Sequence, residues 1–204
     1  VLPRNIDSSS RFPSTLADAK TSAQKEGIVE AERVVLEAFG PTIKLRDEDG
    51  SLLGPFAPLM YTPENIVPYL KHAAACVGTK HLTLRERELV TLAVGSVARA
   101  DYVLYAHKHI AISIGLSPEQ ADSAASGTTP TDLNESETLL FAMGLEMAKG
   151  YGKVSEKCWE MGKKMLGLEG MAAVAQLVGS YLHASCLVNC AKVRSPKEKG
   201  EDGT

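Results

Sequence analysis

Proline placement constrains this chain more than any other feature. The ten prolines stand at positions 3, 13, 41, 55, 58, 63, 68, 118, 130 and 196, so the stretches 69–117 and 131–195 contain none. Proline removes a backbone donor and clashes with the preceding turn of a helix, so both stretches have room for long helices. Composition agrees. The chain holds 24 Ala and 23 Leu against 5% aromatic residues, a balance that favours helix over an aromatic-rich sandwich. With 204 residues, 44% of them hydrophobic and 23% charged, general disorder is excluded. The 22 basic and 25 acidic side chains give a net charge of −3. No overall basic field exists, which argues against nucleic acid as the main partner.

Helix starts and stops can be read along the chain. Ser14 to Phe39 reads as helix, with Ile28, Ala31, Val34, Val35 and Ala38 on one face and Gly40-Pro41 ending it. Ile43 to Leu45 and Leu52-Leu53 can pair briefly around Asp49-Gly50. Thr62-Pro63 supplies an N-cap and a proline at the first helical position. Capping boxes at Thr83-Leu84-Arg85-Glu86 and Ser117-Pro118-Glu119-Gln120 frame helices over 83–98 and 99–114, the second stopped by Gly115. Helices over 134–149, 154–166 and 169–192 complete the count. The expectation is an all-α bundle of seven or eight helices. It forms one domain over 13–195, between a flexible segment 1–12 and a flexible tail 196–204.

The segment Met171 to Ala191 carries no charged residue and is long enough to span a bilayer. Gln176, Ser180, Tyr181, His183, Ser185 and Asn189 are costly in hydrocarbon, so the expectation is a helix buried in the bundle or at a subunit interface, with no membrane. Its stripe of Gln176, Gly179, Ser180, His183, Cys186 and Cys190 is read as close helix packing. Four cysteines without a CxxC pair suit a reducing, cytoplasmic compartment, and Val1 to Arg11 lack the apolar core of a secretory signal. Asp47, Asp49 and Gly50 echo part of a calcium loop, but its spacing and closing acidic ligand are missing.

No nucleophile elbow, phosphate loop or zinc helix is present. The residues that stand out lie in the hairpin Leu82 to Gly115. Glu88 shares a helix face with Leu84, Leu92 and Gly95, and a carboxylate on an apolar stripe must be paired, hydrogen-bonded or protonated. Either it serves as a general acid or base, or it bridges to Arg85, Arg99 or a residue of another helix. Glu86 is the capping partner, while Arg85 and Arg87 are read as solvated charges. His107 lies on the stripe of Val103, Ile110, Ala111 and Ile114, as a core residue or a catalyst. His109 points nearly the opposite way with Tyr102 and Tyr105, so the two histidines do not share a metal. His72, His81 and His109 are read as surface residues.

Leu82-Thr83-Leu84-Arg85-Glu86-Arg87-Glu88-Leu89, Tyr102 with His107 five residues on, and Gly115-Leu116-Ser117 together resemble the carboxymuconolactone decarboxylase and alkylhydroperoxidase-D-like superfamily. Gly54-Pro55-Phe56, Thr62-Pro63-Glu64, Asn134-Glu135-Ser136-Glu137, Val154-Ser155 with Trp159, and Leu177 to Tyr181 extend the resemblance from about Leu52 to Val193. It implies an all-helical fold and a homo-oligomer, a trimer or a hexamer built as a dimer of trimers. The peroxidase branch of that superfamily carries a CxxC pair seven and four residues before the motif histidine. Ala100 and Val103 stand there, and neither forms a thiolate. The acidic residue and the histidine of the family fall on Glu88 and His107. Val103-Leu104 stand where the decarboxylase branch commonly has Glu-Trp.

The resemblance and the residues together imply an enzyme needing neither cofactor nor metal, acting by proton transfer on an organic acid, lactone or polyketide-like metabolite. Decarboxylation or isomerisation would pass through an enolate, with Glu88 and His107 as the acid/base pair and Tyr102 as oxyanion donor. The alternatives are a thiol-dependent antioxidant using Cys76 or Cys186, and a non-catalytic member of the fold.

Overall fold

The computed structural model describes residues 10–39, 45–46 and 50–193. Among them the regular elements are helical. A 3-10 turn at Leu16–Asp18 precedes α1 (Ser22–Phe39), α2 (Phe56–Leu59), α3 (Pro63–Val77), α4 (Leu84–Ala98), α5 (Asp101–Ser113), α6 (Pro118–Ala125), α7 (Glu135–Lys149) and α8 (Glu156–Ala191). The brief pairing expected around Gly50 is a single antiparallel bridge between Arg46 and Leu52, with the Leu53 amide donating to the Leu45 carbonyl at 2.8 Å. Ile43, Asp47, Asp49, Gly40-Pro41, residues 1–9 of the expected N-terminal segment and the tail 196–204 lie outside the described residues.

The chain divides into two compact units. One comprises Val1–Ala74 with Leu187–Thr204, and the other comprises Ala75–Cys186. In the first, the α1 stripe of Ile28, Ala31, Val34 and Val35 is buried with Leu45, Leu52, Leu59, Met60, Ile66 and Leu70. The expected start of α1 at Ser14 is corrected to Ser22. The Asp18 carboxylate accepts from both the amide and the hydroxyl of Thr15, which closes a separate turn. Thr21 and Gln24 then cap the true helix reciprocally, the Gln24 amide donating to the Thr21 hydroxyl and the Thr21 amide to the Gln24 side chain.

In the second unit, α4 runs through the core. Leu89, Val90, Leu92, Ala93 and Val94 are all fully buried, so the middle of α4 is enclosed, as in a central helix, with Glu88 and Thr91 as its buried polar residues. Both expected capping boxes are formed, and Asn134 with Glu137 makes a third at the start of α7. Arg85 is not a solvated charge: its guanidinium holds the buried Glu137 carboxylate at 2.6 Å and also donates to the Gly115 carbonyl, tying α4 to α7 and to the end of α5. The hairpin turn also differs from expectation. Arg99 adopts a left-handed conformation at φ 50° that ends α4, so α5 begins at Asp101 rather than at position 99. The two helices expected over 154–166 and 169–192 are both present: α8 is a pair of helices meeting at Gly167, whose φ of 67° and ψ of −179° are not helical. Glycine enters that region without steric cost.

The length and composition of α8 would suffice to cross a membrane. Its inner face, including Val174, Leu177 and Val178, packs into the core of the second unit instead. The stripe read as close packing is in large part not packed within the chain: Gln176, Gly179, His183 and Cys186 are exposed, while Ser180 is buried.

Candidate active site

The helical hairpin of α4 and α5 brings Glu88 and His107 together. Gly95 makes this approach close, since a side chain there would place its Cβ 2.9 Å from the Leu104 methyl and 3.4 Å from Val103. About two turns of α4 away, Glu88 Oε2 lies 2.7 Å from His107 Nδ1. The two side chains are 10% and 14% exposed, respectively, so the pair is largely removed from water. Of the alternatives for Glu88, the partner is neither Arg85, which binds Glu137, nor Arg99, which caps α4. Of its expected face-mates, Leu92 and Gly95 are buried, whereas Leu84 in the first turn is exposed.

A carboxylate can only accept, so with Glu88 ionised Nδ1 of His107 is the donor, and in the neutral ring Nε2 keeps its lone pair. A hydrogen bond to a charged acceptor at this distance is strong and orienting. The ring of Tyr181, from α8, stands against the imidazole with centroids 4.8 Å apart and planes at 89°. This edge-to-face contact was not read from the sequence, where Tyr181 is one of several polar residues on an uncharged helix. Its signal would have been the four-residue register with the buried Leu177.

Tyr102 is placed differently. Five residues before His107 on one helix, it sits roughly 140° around the axis. Burial pushes its phenol up to about 12, with a smaller contribution from Tyr105, so the hydroxyl remains a donor. It makes no hydrogen bond to Glu88 or His107 in the structure. His109 turns away from His107 as expected and packs on Tyr105, ring centroids 4.6 Å apart. His72, His81 and His109 are exposed. Among the described residues no cluster of three metal-ligating side chains exists.

Ala100 and Val103, at the positions of a CxxC pair, are buried. The cysteines of this unit lie elsewhere. Burial raises the Cys76 thiol above its ordinary range, against a smaller opposing effect of Ser180. Burial together with the Glu146 carboxylate pushes Cys158 up to about 11. Both are thiols, not thiolates, at neutral pH. A separate open groove of about 160 Å³, lined by Met147, Tyr151, Ala175, Val178, Gly179 and Leu182, includes neither Glu88 nor His107.

Solved structures share this architecture. A cysteine-to-alanine form of the debrominase Bmp8, in complex with 2,3,4-tribromopyrrole, superposes with a TM-score of 0.70 at 13% identity, covering 94% of each chain. Apo Bmp8 gives 0.67 at 14% identity over 90% of each chain. The alkylhydroperoxidase AhpD core of a peroxidase-related protein from Ralstonia eutropha JMP134 gives 0.70 at 19% identity over 95% of each chain. At such identities the likeness establishes the fold. No curated protein matches the sequence. The sequence model of the carboxymuconolactone decarboxylase family matches residues 64–144, a span containing Glu88, Tyr102 and His107. Residues 64–144 are thus similar to the carboxymuconolactone decarboxylase family, within an all-helical fold that the solved structures share.

Proposed function

We propose that this protein is an enzyme that moves protons on an organic acid, lactone or polyketide-like carbonyl compound, using Glu88 and His107 as a coupled acid/base pair. The observation that carries this reading is the 2.7 Å contact between Glu88 Oε2 and His107 Nδ1 within a largely buried site. Glu88 fixes the tautomer and offsets the charge that His107 gains on protonation. Nε2 is then the reacting nitrogen. In isomerisation it takes the proton beside a carbonyl and returns it at another carbon of the resulting enolate. In decarboxylation Nε2 takes the proton of the substrate's carboxylic acid, the C–C bond breaks, carbon dioxide leaves, the bonding electrons form the enolate, and His107 delivers that proton to carbon. Tyr102, held protonated, is the candidate donor to the enolate oxygen, approaching from a different side of α5 than His107.

A thiol peroxidase is less well supported. It needs a thiolate, and of its two candidate cysteines the buried Cys76 is shifted the other way, which leaves only the exposed Cys186. The test is a panel of lactones and β-keto acids incubated in heavy water, with deuterium incorporation and carbon dioxide release followed by mass spectrometry. Turnover by the native protein that disappears in Glu88→Gln and His107→Asn supports the reading. Turnover retained in both folded variants refutes it.

A further inference from the structure

We propose that Thr91 is a substrate-binding residue, its hydroxyl donating to an oxygen of the carbonyl compound whose proton His107 moves. The inference rests on the Glu88–His107 reading and deepens it, by naming what the site offers beside the acid/base pair. Thr91 is 1% exposed, and its hydroxyl oxygen is enclosed without a hydrogen-bond partner among the described residues. A threonine inside a helix ordinarily bonds its hydroxyl to a carbonyl one turn back, and Thr91 does not. An unpaired buried hydroxyl lowers stability, and valine, of nearly the same shape, would avoid that loss. The hydroxyl is therefore a free donor for which the folded chain supplies no acceptor.

Its position says where an acceptor would arrive. In the hairpin, Gly95 faces Val103 and Leu104 while Glu88 reaches His107, so numbers on α4 fall as those on α5 rise. Thr91 is four residues before Gly95, and His107 is four residues after Val103. One turn along each antiparallel helix thus brings Thr91 level with His107. Around the α4 axis Thr91 stands about 60° from Glu88, on the side of Val94. Glu88 and Gly95 face α5, whereas Val90 and Val94 pack with Val174, Leu177 and Val178 of α8. Thr91 lies between those two strips and faces the seam of α5 and α8, where the Tyr181 ring meets His107. A substrate presented to His107 in this seam brings its oxygens to the Thr91 hydroxyl. Glu88 is engaged by Nδ1, and Tyr102 approaches from another side of α5, so Thr91 adds a donor that neither provides. It also selects. A carboxyl or lactone oxygen satisfies the hydroxyl, and an apolar group in its place leaves the hydroxyl unpaired.

The test compares Thr91→Val and Thr91→Ser with the native protein, in melting and in steady-state kinetics on the panel of lactones and β-keto acids. Thr91→Val should melt at the native temperature or above it, since no internal bond is lost. Its KM should rise about tenfold or more, with kcat less affected, because the bond is made in ground and transition states alike. Thr91→Ser keeps the hydroxyl and should recover most of that loss. A lower melting temperature for Thr91→Val overturns the proposal, because the hydroxyl would then be bonded within the fold. So does a native KM in Thr91→Val, or an equal loss in Thr91→Ser, which would assign the effect to packing. Glu88→Gln separates the two levels of the argument. If it abolishes turnover while Thr91→Val keeps the native KM, the Thr91 role alone fails. If folded Glu88→Gln retains turnover, or the native protein acts on no member of the panel, the acid/base reading fails and the Thr91 role with it.

Discussion

Glu88 and His107, nineteen residues apart in the chain, meet at 2.7 Å across the α4–α5 hairpin, with Nδ1 as the nitrogen engaged. A structural ion pair and a catalytic pair share this geometry but differ in what their removal does. A catalytic pair predicts that Glu88→Gln and His107→Asn each lower turnover by about 10²–10⁴-fold. The double variant should be little worse than either, because residues that act as a unit fail together. Turnover and melting measured on the same samples separate the cases. Full activity in folded His107→Asn removes the mechanism.

The ion pair at the start of α4 gives a prediction about pH. The Arg85 guanidinium is the main influence holding the Glu137 carboxyl below its usual range, while burial opposes it. Since the folded value lies below the unfolded one, the pair contributes stability above the unfolded value, near 4.3. That contribution falls away as pH drops through the lower, folded value. Glu137→Gln should therefore cost about 1–3 kcal/mol at neutral pH and flatten the acid limb of the stability profile. Urea midpoints at neutral pH and near pH 3 provide the check. An unchanged difference between the native protein and the variant at the two pH values would contradict it.

How much of this was legible in the sequence follows from which interactions are local. Thr83, Ser117 and Asn134 bond to partners three residues away, and such caps can be read from spacing alone. The apolar stripe of α1 could be read for the same reason. The partners of Arg85 and Glu88 are 52 and 19 residues away. Spacing could mark Glu88 as needing a partner without naming His107, and it gave no hint that Arg85 was bound. The start of α1 was misplaced because two competing side-chain bonds, those of Asp18 and Gln24, lie in one polar stretch. Tyr181 was missed as a neighbour of His107 because their contact depends on how α8 packs against α5, which periodicity does not encode.

The buried cysteines predict redox silence. With Cys158 pushed up to about 11 and Cys76 also raised, neither supplies a thiolate at neutral pH. Thiol-dependent hydroperoxide reduction should not exceed that of a heat-treated control. Iodoacetamide at pH 7 should spare both residues in the native protein and label them after unfolding, as read by peptide mass spectrometry. Peroxide turnover that disappears in Cys76→Ser or in Cys186→Ser, the second a free and exposed cysteine, would overturn this expectation.

The outer face of α8 predicts self-association. Ala172, Ala175, Gln176, Gly179, His183 and Cys186 are exposed on a stretch without a charged side chain, and Met161, Met165 and Leu168 are exposed on the other side of the break at Gly167. Tyr151, 91% exposed, lies beside the groove that includes Gly179. Apolar surface of this extent marks a contact site more often than a solvated face. We propose a second copy of this chain as the occupant. At micromolar concentration, light scattering should therefore report a multiple of 21.8 kDa, with a trimer or hexamer the expected state. Gly179 is the place to test it, because a Cβ built there meets nothing within 4 Å in the single chain. Arginine is also a better helix former than glycine by about 0.5–1 kcal/mol, so Gly179→Arg should leave the isolated fold intact while placing a charge in the contact. The expected result is a folded monomer. A native protein already monomeric at this concentration, or a Gly179→Arg assembly of unchanged mass, would move the interface off this face of α8.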